Sequence, residues 1–346
     1  MSEDLIKNHT NSNYTYNIKR PVPLIAVQIT VVLGGLLSLI GILANIYVLH
    51  IIRINKDMRS PSYYGLVNLS IANLLTAIFY PLPPVFILVT SVIPVQNSRL
   101  LTYVVCGFIL PLSVTALNVA NGTLAFMAVS KYYSINSDGG SGRKLTNRKA
   151  IGILICLWFA ACMLHWPRTI IVMPKSYIAA LCTIYINDNL SRNMMLIFAS
   201  ITILGPFAIM LICHIQITKK LKQRHRFFLS AAILKELNVQ SFTHGGSSTR
   251  TLNNAIQMLR QVTLMQFFCC LICTLAFYVS VLSYMSKLNS YVVGFSFTVI
   301  YVSAVATGLH GPVLYIFHLK KFRQPLQSFF TSVTSRSSIS NLSPQK

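Results

Sequence analysis

Charge is missing from long stretches of this chain, and that absence limits the fold more than any motif. Residues 21–52, 60–98, 100–130, 150–167, 193–218, 261–286 and 288–319 contain no Lys, Arg, Asp or Glu. A helix rises about 1.5 Å per residue, so it needs about 20 apolar residues to cross a hydrocarbon core of about 30 Å. Even the shortest run, 150–167, meets that need. Within lipid, only helices and closed barrels satisfy their own backbone, and barrel strands alternate over about 10 residues. These runs are too long and too evenly apolar for strands. The expected fold is an all-α membrane protein, a bundle of seven transmembrane helices. Composition agrees: 54% of residues are hydrophobic and 10% charged, against about 25% charged in soluble domains. Pro81, Pro83 and Pro84 predict a bend near the outer end of the second span.

Basic residues set the orientation. With the N-terminus outside, the inner segments hold 20 Lys and Arg and the outer ones eight, Lys131 standing at a helix end. The inner set includes Arg53, Lys56 and Arg59 in the first loop and eight residues from Lys219 to Arg260. The positive-inside rule then puts the C-terminus in the cytoplasm. Lys19 and Arg20 oppose this locally, and the total decides. The sequons at Asn8 and Asn13 fit a glycosylated extracellular tail, the alternative being an unmodified terminus. Residues 1–20 lack an apolar core, so the first span is expected to serve as the targeting signal. The expected organisation is an extracellular tail over 1–23 and the bundle over 24–318. An amphipathic membrane-surface helix over 319–330 and a disordered cytoplasmic tail over 331–346 complete it.

Several function classes fall away. The net charge of +23 could serve nucleic acid, but the cations lie in short clusters between apolar runs rather than on one face. All six acids (Glu3, Asp4, Asp57, Asp138, Asp188 and Glu236) lie outside the spans. Ion-coupled transporters rely on intramembrane acids, so a transporter is the weaker alternative. No spacing predicts a metal site, and neither a cofactor nor catalysis is expected.

Landmarks recur along the spans in a fixed order. The first span has Asn45 in Gly41-Ile42-Leu43-Ala44-Asn45, and the second has Asn68-Leu69-Ser70-Ile71-Ala72-Asn73-Leu74. Cys106 opens the third span and Ala128-Val129-Ser130-Lys131-Tyr132 closes it. Trp158 and Pro167 lie in the fourth, Pro206 and His214 in the fifth, and Phe267-Phe268-Cys269-Cys270-Leu271-Ile272-Cys273 in the sixth. Gly311-Pro312-Val313-Leu314-Tyr315-Ile316-Phe317 ends the seventh, followed by His318-Leu319-Lys320-Lys321-Phe322.

Over roughly 24–330 this pattern resembles the rhodopsin-like G-protein-coupled receptors, as a divergent member. The resemblance implies a Cys106–Cys182 disulfide and a ligand pocket in the outer bundle, with Ser113, Asn118, Tyr278 and Tyr301 as candidates. It implies coupling and activation roles for Lys131, Tyr132, His214, Pro312 and Tyr315. It also implies a heterotrimeric G protein as partner, arrestin through the Ser/Thr-rich tail, and contact with membrane lipid. For each pocket candidate the competing reading is a polar group satisfied by a neighbouring helix.

The departures shape the expected ligand. Ser113 stands where amine receptors carry Asp, and no Lys occurs between Lys287 and Lys320, where a retinal pigment needs one. Asn73 and Gly311 replace residues of the family's sodium site. Lys131 keeps the charge of the usual Arg without its planar fork of donors. The expected ligand is therefore extracellular and not a small amine. A receptor-like protein that has lost G-protein coupling remains the alternative.

Overall fold

The computed structural model describes residues 22–55, 58, 61–92, 104–136, 145–172, 197, 200–220, 223, 268, 271, 272, 275, 278, 279, 290–318, 322–325, 327 and 328. Among the described residues, six helices are long and apolar enough to cross a membrane. The first span is the helix Leu24–Ile54. The second is split into Pro61–Phe79 and Leu82–Val92. The third opens with a π-helical turn, Val105–Ile109, and continues as Leu110–Asn136. Asn147–Val172 forms the fourth, Ser200–Lys220 the fifth and Ser290–His318 the seventh. Of the sixth expected span, the described residues Phe268, Leu271, Ile272, Leu275, Tyr278 and Val279 are all helical.

The bundle turns the soluble-protein pattern inside out. Along the first span, Thr30, Gly34, Ser38, Gly41, Asn45 and Val48 recur every three or four residues and are buried. Val32, Leu36, Leu39, Leu43 and Ile46 are exposed on the other faces. Lipid accepts the bulky apolar face, while small and polar residues let helices approach and hydrogen-bond. The prolines break the second span where expected. Pro61 sits at the first helical position, where its missing N–H costs nothing. Pro81 offers no N–H, and the helix stops at Phe79 before restarting at Leu82.

Two glycines mark close approaches. A Cβ on Gly294 of the seventh span would stand 2.7 Å from Pro23 Cδ and 3.0 Å from the Ala26 Cβ at the start of the first. On Gly65 it would stand 2.8 Å from Met127 Cγ of the third span. The largest core cluster joins the ends of four spans with Phe322, which is completely buried and lies beyond the seventh. The Tyr47 hydroxyl donates to the Phe322 carbonyl at 2.6 Å, tying that segment to the first span.

Candidate functional site

Two hydrogen-bonded joints hold the half of the bundle nearest Phe322. In the first, Asn45 Nδ2 donates to the carbonyls of Gly41 at 2.8 Å and Gly308 at 3.2 Å. Asn73 Nδ2 reaches Asn45 Oδ1 at 3.5 Å. Gly308 leaves room for Asn73, whose atoms would lie 3.6–3.7 Å from a Cβ there. First, second and seventh spans therefore meet at two neutral amides.

The second joint is a directed chain. Trp158 Nε1 donates to Asn68 Oδ1 at 2.9 Å, Asn68 Nδ2 donates to Thr123 Oγ1 at 2.7 Å, and Thr123 donates to the Val119 carbonyl at 2.6 Å. It links the fourth, second and third spans. The sequence marked Asn45, Asn68, Asn73 and Trp158 as landmarks, but their partners Gly308 and Thr123 are distant in the chain.

The residues expected to couple lie on the third, fifth and seventh spans. Ser130 is buried, Lys131 and Tyr132 are half-buried, and the rings of Tyr132 and Tyr133 meet edge-on at 5.8 Å. His214 is half-buried on the fifth span, and Pro312 is buried within the seventh. Tyr315 lies in the helical backbone of the seventh span.

Among the pocket candidates, Ser113 is fully buried and donates to the Leu110 carbonyl of its own helix at 2.8 Å. Asn118 Nδ2 donates to the Val114 carbonyl at 3.0 Å and lies 2.6 Å from His165 Nε2 on the fourth span. His165 then accepts, which puts its ring proton on Nδ1. Tyr301 stacks, tilted, between Tyr80 at 4.9 Å and Phe297 at 4.6 Å. It packs in one cluster with Val114 and Leu117, which bring it to the third span near Ser113 and Asn118. Tyr278 hydrogen-bonds Ser200 on the fifth span.

His165, Ser200 and Tyr80 were not singled out from the sequence. An intramembrane His is rare enough to have pointed to His165. Cys106 is disulfide-bonded, and its expected partner Cys182 lies outside the described residues. The glycosylation candidates Asn8 and Asn13 also lie outside them.

The model of the seven-transmembrane receptors of the rhodopsin family matches residues 44–315. The chain belongs to this family. Squid rhodopsin superposes on the receptor with a TM-score of 0.63 at 15% identity, covering 90% of this chain and 87% of that one. The fold is thus the seven-helix bundle. Visual pigment-like receptor peropsin of Homo sapiens is 25% identical over 54% of this chain and 54% of its own length. The muscarinic acetylcholine receptor gar-3 of Caenorhabditis elegans is 25% identical over 42% of this chain and 22% of its own length. The receptor therefore matches about half or less of the length of these curated relatives.

Proposed function

We propose that this receptor sits in the plasma membrane with its N-terminus outside and passes the binding of an extracellular ligand to a heterotrimeric G protein. The ligand is neutral, lipid-like or peptidic rather than a small amine. The observation carrying this reading is Ser113, whose hydroxyl is buried and directed to the Leu110 carbonyl. A cationic ligand needs a buried counter-charge, because an ion in a low-dielectric site is costly without one. The spans hold no Asp or Glu to provide it.

One matched relative is named for acetylcholine and another as visual pigment-like. Neither chemistry has its anchor here, since the seventh span also holds no Lys for a retinal Schiff base. A ligand entering among Asn118, Tyr278 and Tyr301 acts by binding one bundle arrangement better than another, which shifts their populations. A second reading, a receptor-like protein without G-protein coupling, is favoured by Lys131 in place of Arg, with Ser130 beside it.

The test is a ligand screen in cells with arrestin recruitment as a coupling-independent readout, followed by assays with each main G-protein family co-expressed. Recruitment by neutral or peptidic ligands with a G-protein response is expected. Recruitment without any G-protein response supports the second reading. A response confined to small amines contradicts the ligand assignment.

A further inference from the structure

In the half of the bundle away from Phe322, a titratable side chain joins the third and fourth spans. Ala150 and Leu154 of the fourth span belong to the core cluster with Phe322, and His165 lies about three turns beyond Leu154. Its Nε2 is 2.6 Å from Asn118 Nδ2, and both residues are half-buried. Asn118 Nδ2 also donates to the Val114 carbonyl at 3.0 Å. One nitrogen makes both contacts, and that fixes the direction of the pair. Turning the amide oxygen towards His165 would set Oδ1 against the Val114 carbonyl, acceptor against acceptor. The imidazole must therefore accept, and only its neutral form can.

Proton uptake reverses the role of the ring. Nε2 takes a proton from water, the Nδ1 proton stays, and the imidazolium has two donors and no acceptor. The N–H groups of Asn118 and His165 then face each other, and the bond between them is lost. A second arrangement is available on the same face of the third span. A Cβ on Gly122 would stand 3.1 Å from Leu157 Cδ2, so this face meets the fourth span. Asn118 lies one turn from Gly122 and Thr115 two turns. Thr115 is completely buried, and among the described residues its hydroxyl has no hydrogen-bond partner. Its oxygen is left over while the ring is neutral and can accept the new N–H once the ring is charged.

Few other titratable groups lie near the pair. On the fourth span, Cys162 stands one turn before His165 as a free thiol. Arg168 stands one turn after it, with its side chain outside the described residues. The third span has no titratable side chain between the disulfide-bonded Cys106 and Lys131. The second span brings Tyr80, stacked on Tyr301, and the fifth has none from Ser200 to Ile212. Asp188, the nearest outer acid in the sequence, lies outside the described residues.

We infer that Asn118 and His165 form an acid-sensitive latch between the third and fourth spans, closed while the imidazole is neutral and opened when it takes up a proton. Asn118 is also a candidate of the ligand pocket, so opening frees an N–H for a ligand acceptor and makes ligand binding depend on pH. That consequence, and the outer side as the source of the proton, rest on the proposed function; the latch itself needs neither ligand nor G protein.

The experiment uses the full chain, purified in one detergent without ligand and unfolded by heat at steps between about pH 7.5 and 5.5, where imidazole titrates. On acidification the wild type is expected to lose about 2–4 °C of unfolding temperature relative to His165→Gln. A glutamine amide accepts through Oε1 and does not titrate, so that variant keeps the joint at every pH. Asn118→Asp should reverse the sign. A carboxylate opposes the neutral ring as acceptor against acceptor and pairs with the charged one, so acid then stabilises. Thr115→Val should deepen the wild-type loss by removing the oxygen that receives the charged ring. A wild-type profile parallel to that of His165→Gln overturns the inference, and so does an Asn118→Asp profile that falls like the wild type. If His165→Gln does not fold, the sign of the Asn118→Asp profile decides alone.

Discussion

The two halves of the bundle differ in how far their polar side chains are linked to one another. Near Phe322, Asn45, Asn68, Asn73 and Trp158 hydrogen-bond across helices and tie five spans together. Towards the expected pocket, Asn118 meets His165 across the third and fourth spans and Tyr278 meets Ser200 across the sixth and fifth, while Ser113 and Thr76 donate to carbonyls of their own helices. Tyr301 is held there by ring packing between Tyr80 and Phe297. A cross-helix bond resists separation of the helices it joins, while a bond within one helix survives when its neighbours move. The first half is therefore built as a fixed frame. In the second, a ligand that favours another arrangement has the Asn118–His165 and Tyr278–Ser200 bonds to break or replace.

The largest expected effect lies at the junction of the pocket half with the outer loops. Cys106 is disulfide-bonded within the π-helical turn, and the expected partner is Cys182. Cys106→Ser and Cys182→Ser should each destabilise the receptor by about 2–4 kcal/mol and reduce surface expression to the same degree. Peptide mapping that finds both thiols free in surface-expressed protein would refute the pairing.

Next comes the contrast itself. Asn68→Leu removes the acceptor of Trp158 and the donor to Thr123. Leaving such groups unpaired costs about 1–3 kcal/mol, somewhat less where lipid-embedded partners rearrange. Ser113→Ala removes only a bond within one helix and should stay within about 0.5 kcal/mol. Thermal unfolding of both variants in the same detergent checks the order, and equal losses would erase the distinction between the halves.

The smallest effect is a null. Asn73 and Asn45 meet as neutral amides, with no acid in the spans to hold a cation. Replacing sodium with a bulky organic cation at constant ionic strength should leave ligand affinity unchanged. A sodium-specific shift would contradict this reading of Asn73 and Gly311.

The frame was far more legible in the sequence than the pocket, for a physical reason. The hydrocarbon core excludes charge over a fixed thickness, so spans appear as charge-free runs, and Pro81 announces its break because it has no N–H to give. Intramembrane Asn and Trp invite a hydrogen-bond reading by residue type alone. Their partners do not appear in the sequence. Thr123 lies 55 residues from Asn68, and Gly308 lies 263 from Asn45. Nor does sequence separate a serine that awaits a ligand from one like Ser113, bonded to the carbonyl three residues back. The π-helical turn at Val105–Ile109 also left no trace in the charge pattern.

The central claim is that this receptor signals through a G protein at the end carrying Lys131. Nucleotide exchange, measured on purified heterotrimeric G proteins of each main family with membranes at matched receptor density, tests it directly. Lys131 is a point charge where a planar guanidinium would donate in several directions. Lys131→Arg should therefore raise exchange over wild type, and Ser130→Asp in that background should lower ligand-free exchange by restraining the guanidinium with an acid. Such a partly exposed pair contributes about 0.2–1 kcal/mol, an effect of roughly up to fivefold. If Lys131→Arg leaves exchange unchanged with every G-protein family, this end of the third span is not the coupling surface, and the account fails.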